Sequence, residues 1–349
     1  MLSLRRVAMC LLVMIGLWGV PLAAQDSDVG YAEALRRIEE ARVSGATRLS
    51  FDALRLVTLP PEIWHLTQLQ DLNLAWNQLT ILPEEIGQLS NLRELYAIHN
   101  QFNVLPAEIG QLRHLESLSL TDTQLAFLPS EIGQLSNLQE LYLNYNPLSS
   151  LPSEIGQLSN LQELSFSETQ LSILPPEISQ LLNLRTLDVS NSYLVSIPSE
   201  IGHLSALQEL NLSNNQLNAV PIEIGQLTNL RKLSLGGNRL TVLPSEVGQL
   251  INLEWLELRG NQLITLPLEL GQLSHLTVLN IGGNPITFPP PEIQSQGTQA
   301  ILAYLRDYQA MMMRQTIAAI AAGIGAIALL ILGFRWRQRR AMSEKKKRA

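Results

Sequence analysis

Only one cysteine, Cys10, occurs in the chain, and it lies inside the first apolar stretch. The rest can form no disulfide, so whatever folds there is held by packing and hydrogen bonds alone. Cys10 also precedes most of that stretch, the wrong place for a lipid-modified cysteine. Aromatics are scarce at 5%, which leaves the core to aliphatic side chains. Basic residues are thin in the middle, where residues 25–315 hold 14 Lys and Arg against 30 Asp and Glu. So acidic a surface repels phosphates and excludes nucleic acid as a partner.

Catalytic signatures are missing as well. His65, His99, His114, His203 and His275 show no metal-ligand spacing. There is no Gly-x-x-x-x-Gly-Lys-Ser/Thr phosphate loop and no Gly-x-Ser-x-Gly elbow. The glutamates recur at a fixed interval, which suits a solvated face better than a paired acid and base. The sequence therefore predicts no enzyme: no catalytic residue, no cofactor and no metal.

What is present divides the chain. Met1–Ala24 has a basic start, an apolar run from Val7 to Val20 and small residues before Gln25. That layout predicts an export signal, either cleaved after Ala24 or kept as an uncleaved N-terminal anchor. Thr316–Phe334 is a run of nineteen residues without charge, followed by Arg335-Trp336-Arg337-Gln338-Arg339-Arg340. Such a run predicts one transmembrane helix across a core of about 30 Å, with the basic 335–349 tail cytoplasmic and the acidic body outside. Ala318, Ala322 and Ala326, with Ala319 and Gly323, put small residues at four-residue spacing. They suggest a homodimer through that helix.

Between these ends one unit repeats every 23 residues. It reads Leu69-x-x-Leu72-x-Leu74-x-x-Asn77-x-Leu79-x-x-Leu82-Pro83, then Glu-Glu-Ile86-Gly87-Gln88-Leu89. The first leucine recurs at Leu92, Leu115, Leu138, Leu161, Leu184, Leu207, Leu230, Leu253 and Leu276, and a degraded unit around Ala46, Leu49, Phe51 and Leu56 precedes them. Leu-x-Leu alternation predicts a short strand with one buried face. Stacked units then form a parallel sheet over a continuous leucine core. Asn77, Asn100, Asn146, Asn215, Asn238, Asn261 and Asn284 stand where the chain turns inward and can pair with buried backbone groups, while Thr123, Thr169 and Ser192 replace them with hydroxyls. Leu-Pro sets an extended bend, and Glu-Ile-Gly-Gln-Leu fits a helical turn on the outer side. Helices over residues 25–45 and 298–315 are expected to cap the 46–297 repeats. The fold class that follows is α/β: a curved solenoid of about eleven units with helical caps, plus the transmembrane helix.

The repeat resembles leucine-rich repeats of the intracellular Ras-group type, as in Scribble-like scaffolds. The flanks, Arg36-Arg37-Ile38-Glu39-Glu40-Ala41 and Gly297-Thr298-Gln299-Ala300-Ile301-Leu302, resemble those of bacterial Roco proteins. The resemblance implies a horseshoe fold and a protein-binding role. It does not carry over GTP hydrolysis, because the phosphate loop is missing, and an exported domain departs from these mostly cytosolic relatives.

Solvent-facing positions of the inner sheet point to a partner site. The fourth residue after each first leucine gives Tyr96 and Tyr142, and the seventh gives Trp76, His99 and Tyr145. Glu94, Glu140 and Glu168 lie among them, with Asp71, Asp122 and Glu163. Aromatics on a rigid sheet anchor interfaces, so these residues predict a concave-face site for a protein with basic or polar groups. The later units carry Gly237, Gly260 and Gly283 in the same column and predict a silent surface, apart from Trp255 and Arg259. The leading expectation is a membrane-anchored recognition, adhesion or scaffold protein. The alternative is a regulator in a GTPase- or kinase-type signalling system, with cytosolic repeats and a tail anchor.

Overall fold

The computed structural model describes residues 22–348. The expected export signal therefore falls almost wholly outside the described residues. Helix α1 spans Leu22–Ser44 and leads into eleven three-residue strands, from β1 (Arg48–Ser50) to β11 (Val278–Asn280). They form one parallel sheet in strict chain order. Every pairing is offset by one unit, as in Leu49 with Leu72 and Leu256 with Leu279. Within almost every strand the central leucine is buried and its neighbours face outward.

Opposite the sheet, every unit but the last makes a five-residue 3-10 turn, for example Glu84–Gln88, Ser130–Gln134 and Ser245–Gln249. Each begins after a proline held at φ near −65°, such as Pro83 and Pro129, a value the pyrrolidine ring enforces. Successive turns pack so closely that a Cβ added at Gly110 would lie 2.7 Å from the Glu131 carbonyl oxygen. A thin strand inside and a bulkier turn outside give the stack its curvature.

The asparagines seal the interior. Asn77 Nδ2 donates to the carbonyls of Phe51, Leu74 and Ala75, and its Oδ1 accepts from Leu56 N. Asn100, Asn146, Asn215, Asn238, Asn261 and Asn284 repeat the bond into the preceding unit. Thr123 instead donates to Leu120 O and to Asn146 Oδ1. Thr169 and Ser192 bond each other at 2.9 Å. A second ladder, not anticipated from the sequence, runs on the outer side. There Asn91, Asn137, Asn160, Asn183, Asn229 and Asn252 each donate to a carbonyl 24 residues earlier.

Both ends are covered. Ala34, Ile38 and Ala41 of α1 are buried against the first unit, and Arg37 donates to Ser50 O of β1. A one-turn helix α2 (Pro291–Gln294) precedes helix α3 (Thr298–Arg348). Ile301, Leu302 and Leu305 of α3 are buried over the last unit, and Thr298 Oγ1 accepts from Leu279 N. Phe288, Tyr304 and Tyr308 cluster at that junction.

The transmembrane expectation for 316–334 fails. Among the described residues no helix is long and apolar enough to cross a membrane. The apolar run does not set the ends of its own helix. The element starts at the cap and passes Arg306, Asp307 and Arg314. It then continues through the basic segment to Arg348 as one 51-residue rod. At 1.5 Å per residue such a rod is about 76 Å long. The single-pass anchor, the tail anchor of the alternative reading, the cytoplasmic placement of the tail and the homodimer through Ala318, Ala322 and Gly323 lose the span on which they rested.

Candidate partner-binding face

The strands end three residues before the column of Trp76, His99 and Tyr145, so that column is not part of the sheet. It occupies the turn that leaves each strand, at the rim of the concave face. Every member is in the left-handed backbone region: Trp76 (φ 54°), His99 (53°), Asp122 (54°), Tyr145 (56°), Glu168 (56°), Asn191 (53°), Asn214 (55°), then Gly237, Gly260 and Gly283. Glycine, asparagine, aspartate and histidine enter this conformation most readily, whereas tryptophan and tyrosine are strained by their Cβ atoms. The fold asks for glycine there, and the first five complete units carry large or charged side chains instead.

Trp76 stacks on His99 with ring centroids 3.8 Å apart. His99 Nδ1 lies 2.6 Å from Asp122 Oδ2. Trp76 and Tyr145 are nearly 60% exposed. Next along the rim, Asp122, Tyr145, Glu168, Asn191 and Tyr193 line a shallow cleft of about 410 Å³. Tyr193 was not among the residues expected from the sequence, since it sits two positions beyond the rim column.

The inner-sheet candidates differ in character. Tyr96, Ser119 and Tyr142 are neighbours across β3 (Glu94–Tyr96), β4 (Ser117–Ser119) and β5 (Glu140–Tyr142). Ser117 and Ser119 are buried although they lie on the concave side; the two half-buried tyrosines flank them. Tyr96 donates to Glu94 Oε2 at 2.9 Å and Tyr142 to Glu163 Oε2 at 2.5 Å. Burial first, and then these carboxylates, pushes both phenols above the usual tyrosine range. Glu140 accepts from Ser117 Oγ, and Asp71 pairs with Arg48. The eight candidates thus separate into a rim set (Trp76, His99, Tyr145 and Glu168), exposed apart from the half-buried His99, and a half-buried sheet set (Tyr96, Tyr142, Glu94 and Glu140) tied into hydrogen bonds with one another or with Ser117 and Glu163.

Residues 98–174 and 132–239 match a leucine-rich repeat region model, 228–286 match a leucine rich repeat model, and 68–89 match another. The domain is a leucine-rich-repeat solenoid. No catalytic family is among the matches, and no curated protein sequence matches the chain. Its fold is similar to that of a plant peptide hormone receptor, RGFR1, solved in complex with RGF2 (36% identity, TM-score 0.60, covering 65% of this chain and 38% of that one). It is also similar to the Arabidopsis receptor kinase HAESA, solved with the peptide hormone IDA and the co-receptor SERK1 (28% identity, TM-score 0.57, 69% and 47%). An internalin from Listeria monocytogenes shares the fold (20% identity, TM-score 0.56, 74% and 81%). This leucine-rich-repeat chain spans less than half the length of either plant receptor.

Proposed function

We propose that the solenoid is a recognition module that binds an extended polypeptide along its concave rim. Trp76, His99 and Tyr145 would act as anchors, with Asp122 and Glu168 taking basic groups. The observation that carries this reading is the left-handed column. Bulky side chains held where the backbone favours glycine cost about 1–2 kcal/mol each, and strain of that kind concentrates at binding sites. The peptide complexes of RGFR1 and HAESA support the same class of ligand. Tyr96, Tyr142, Glu94 and Glu140 shape the floor beneath it. The export-type segment Met1–Ala24 and the likeness to receptors support repeats that work outside the cytoplasm, and a mature chain beginning at Gln25 would agree with that.

The test is selection of a displayed random peptide library on the chain. Enriched peptides should carry Lys or Arg. Trp76→Ala and Tyr145→Ala should each weaken the selected peptide by about 30-fold, equivalent to about 2 kcal/mol. Absence of enrichment, or equal binding by both variants, would refute the assignment.

A further inference from the structure

The side wall between the rim and the outer 3-10 turns has its own pattern. Three columns form it, at the ninth, eleventh and twelfth residues after each first leucine. From Gln78 to Phe288 they comprise thirty positions, and only Arg239 is charged. The neighbouring outer turns carry a glutamate in every unit, from Glu62 to Glu269. One column places Ile81, Val104, Phe127, Ile173 and Val242 in register on this wall, each 57–68% exposed. Val195 and Ile264 project beside them and are also exposed. The main chain there is extended enough to form parallel bridges, Ile173 with Ser196 and Thr265 with Phe288. Ser150, Ser196, Ala219 and Thr265 interrupt the column, but five large exposed apolar side chains in one register exceed the scattered exposed aliphatics of an ordinary surface.

We propose that this wall is where a second copy of the chain docks, side against side. Charge decides the occupant. Residues 25–315 carry a net charge near −16, so two copies repel each other across most of their surfaces. The wall lets them meet without apposing carboxylates, and its exposed Ile81, Val104, Phe127, Ile173 and Val242 distinguish it from the uncharged Asn and Ser columns on the opposite side. The columns stay in register from unit to unit, so the wall runs the length of the stack. Ten units spaced about 4.8 Å apart make a strip more than about 40 Å long. With a width of about 15 Å, the strip would bury roughly 1,200 Å² over both copies, at the lower edge of the range for stable interfaces. A two-fold axis midway between Ile173 and Ser196 would overlap all ten units and set Phe127 of one copy against Val242 of the other, a self-complementary contact. This dimer leaves the rim column open, so it is independent of the peptide site.

Sedimentation velocity on the full chain tests it. The wild type is expected to sediment as a dimer at tens of micromolar or below, corresponding to about −6 kcal/mol or tighter. The double variant Phe127→Asp/Ile173→Asp should sediment as a monomer, and the uncharged Phe127→Ser should weaken the dimer at least several-fold. Both positions are exposed, and circular dichroism matching the wild type separates loss of the dimer from loss of the fold. A wild type that stays monomeric at about 100 µM, or a folded aspartate variant as dimeric as the wild type, overturns the proposal.

Discussion

Single side chains in this molecule answer to two different demands, and the contrast is sharpest between Asn146 and Tyr145. Asn146 donates to Leu120, Leu143 and Asn144 carbonyls and accepts from Leu125 N and Thr123. Asn146→Ala would leave several buried backbone groups unpaired, each costing about 1–3 kcal/mol, so a loss of at least about 3 kcal/mol is expected in urea unfolding. Tyr145 sits at φ 56° and is exposed, so Tyr145→Gly removes strain. Stability should hold or rise by up to about 1 kcal/mol while peptide binding falls. The asparagine's role was legible from its spacing alone. The strain was not, because Trp76, His99 and Tyr145 look like ordinary exposed strand residues. The clue was further down the same column, where Asn191, Asn214, Gly237, Gly260 and Gly283 name the conformation that the aromatics must share. The outer ladder of Asn91 and Asn137 was equally regular in the sequence, one residue before the first leucine, but an exposed asparagine does not announce a bond.

At the level of elements, the caps show how much depends on docking. Helix α1 meets the first strand through Arg37, which donates both to Ser50 O and to Glu33. Bonds from Arg36 and then Arg37 hold the Glu33 carboxyl down at about 2, from 4.5. A folded-state value below the unfolded one means a contribution present above about 4.5 and lost as the pH falls towards 2. Protection of the α1 amides, taken relative to the intrinsic exchange rate at each pH, should therefore fall between about pH 5 and pH 2 before that of the central strands, and added salt should shrink the effect because the pairs are exposed. The other cap held the main misreading. Leu-x-Leu periodicity and prolines mark where strands and turns stop, but nothing in the apolar run 316–334 marks the ends of α3. Helix ends depend on breaking residues and caps, and neither interrupts the segment from Thr298 to Arg348.

The whole molecule behaves as a stack in which each unit touches only its neighbours. Removal of Gln216–Asn238 takes out one complete unit and joins Asn215 to Arg239, a residue of the same register position as Gln216. The shortened chain is expected to fold, keep its peptide site and lose about a tenth of its denaturant m-value, as judged by urea titration. Failure to fold would mean that the units are not interchangeable. The leucine register made the number of units and the parallel order readable before any coordinates. The distinction between the rim and the sheet was not, since it depends on strands being only three residues long.

Near-identical units also pose a problem of address during folding. A strand that can pair with its proper neighbour can pair nearly as well with the next one along, and a landscape of such slipped partners is shallow and easily trapped. The hydroxyl rungs at Thr123, Thr169 and Ser192 break that degeneracy. The Thr169–Ser192 bond at 2.9 Å is made only when those two units lie side by side, and Thr123 is likewise matched to Asn146. Departures from the consensus thus act as labels, telling otherwise interchangeable segments which place in the order is theirs.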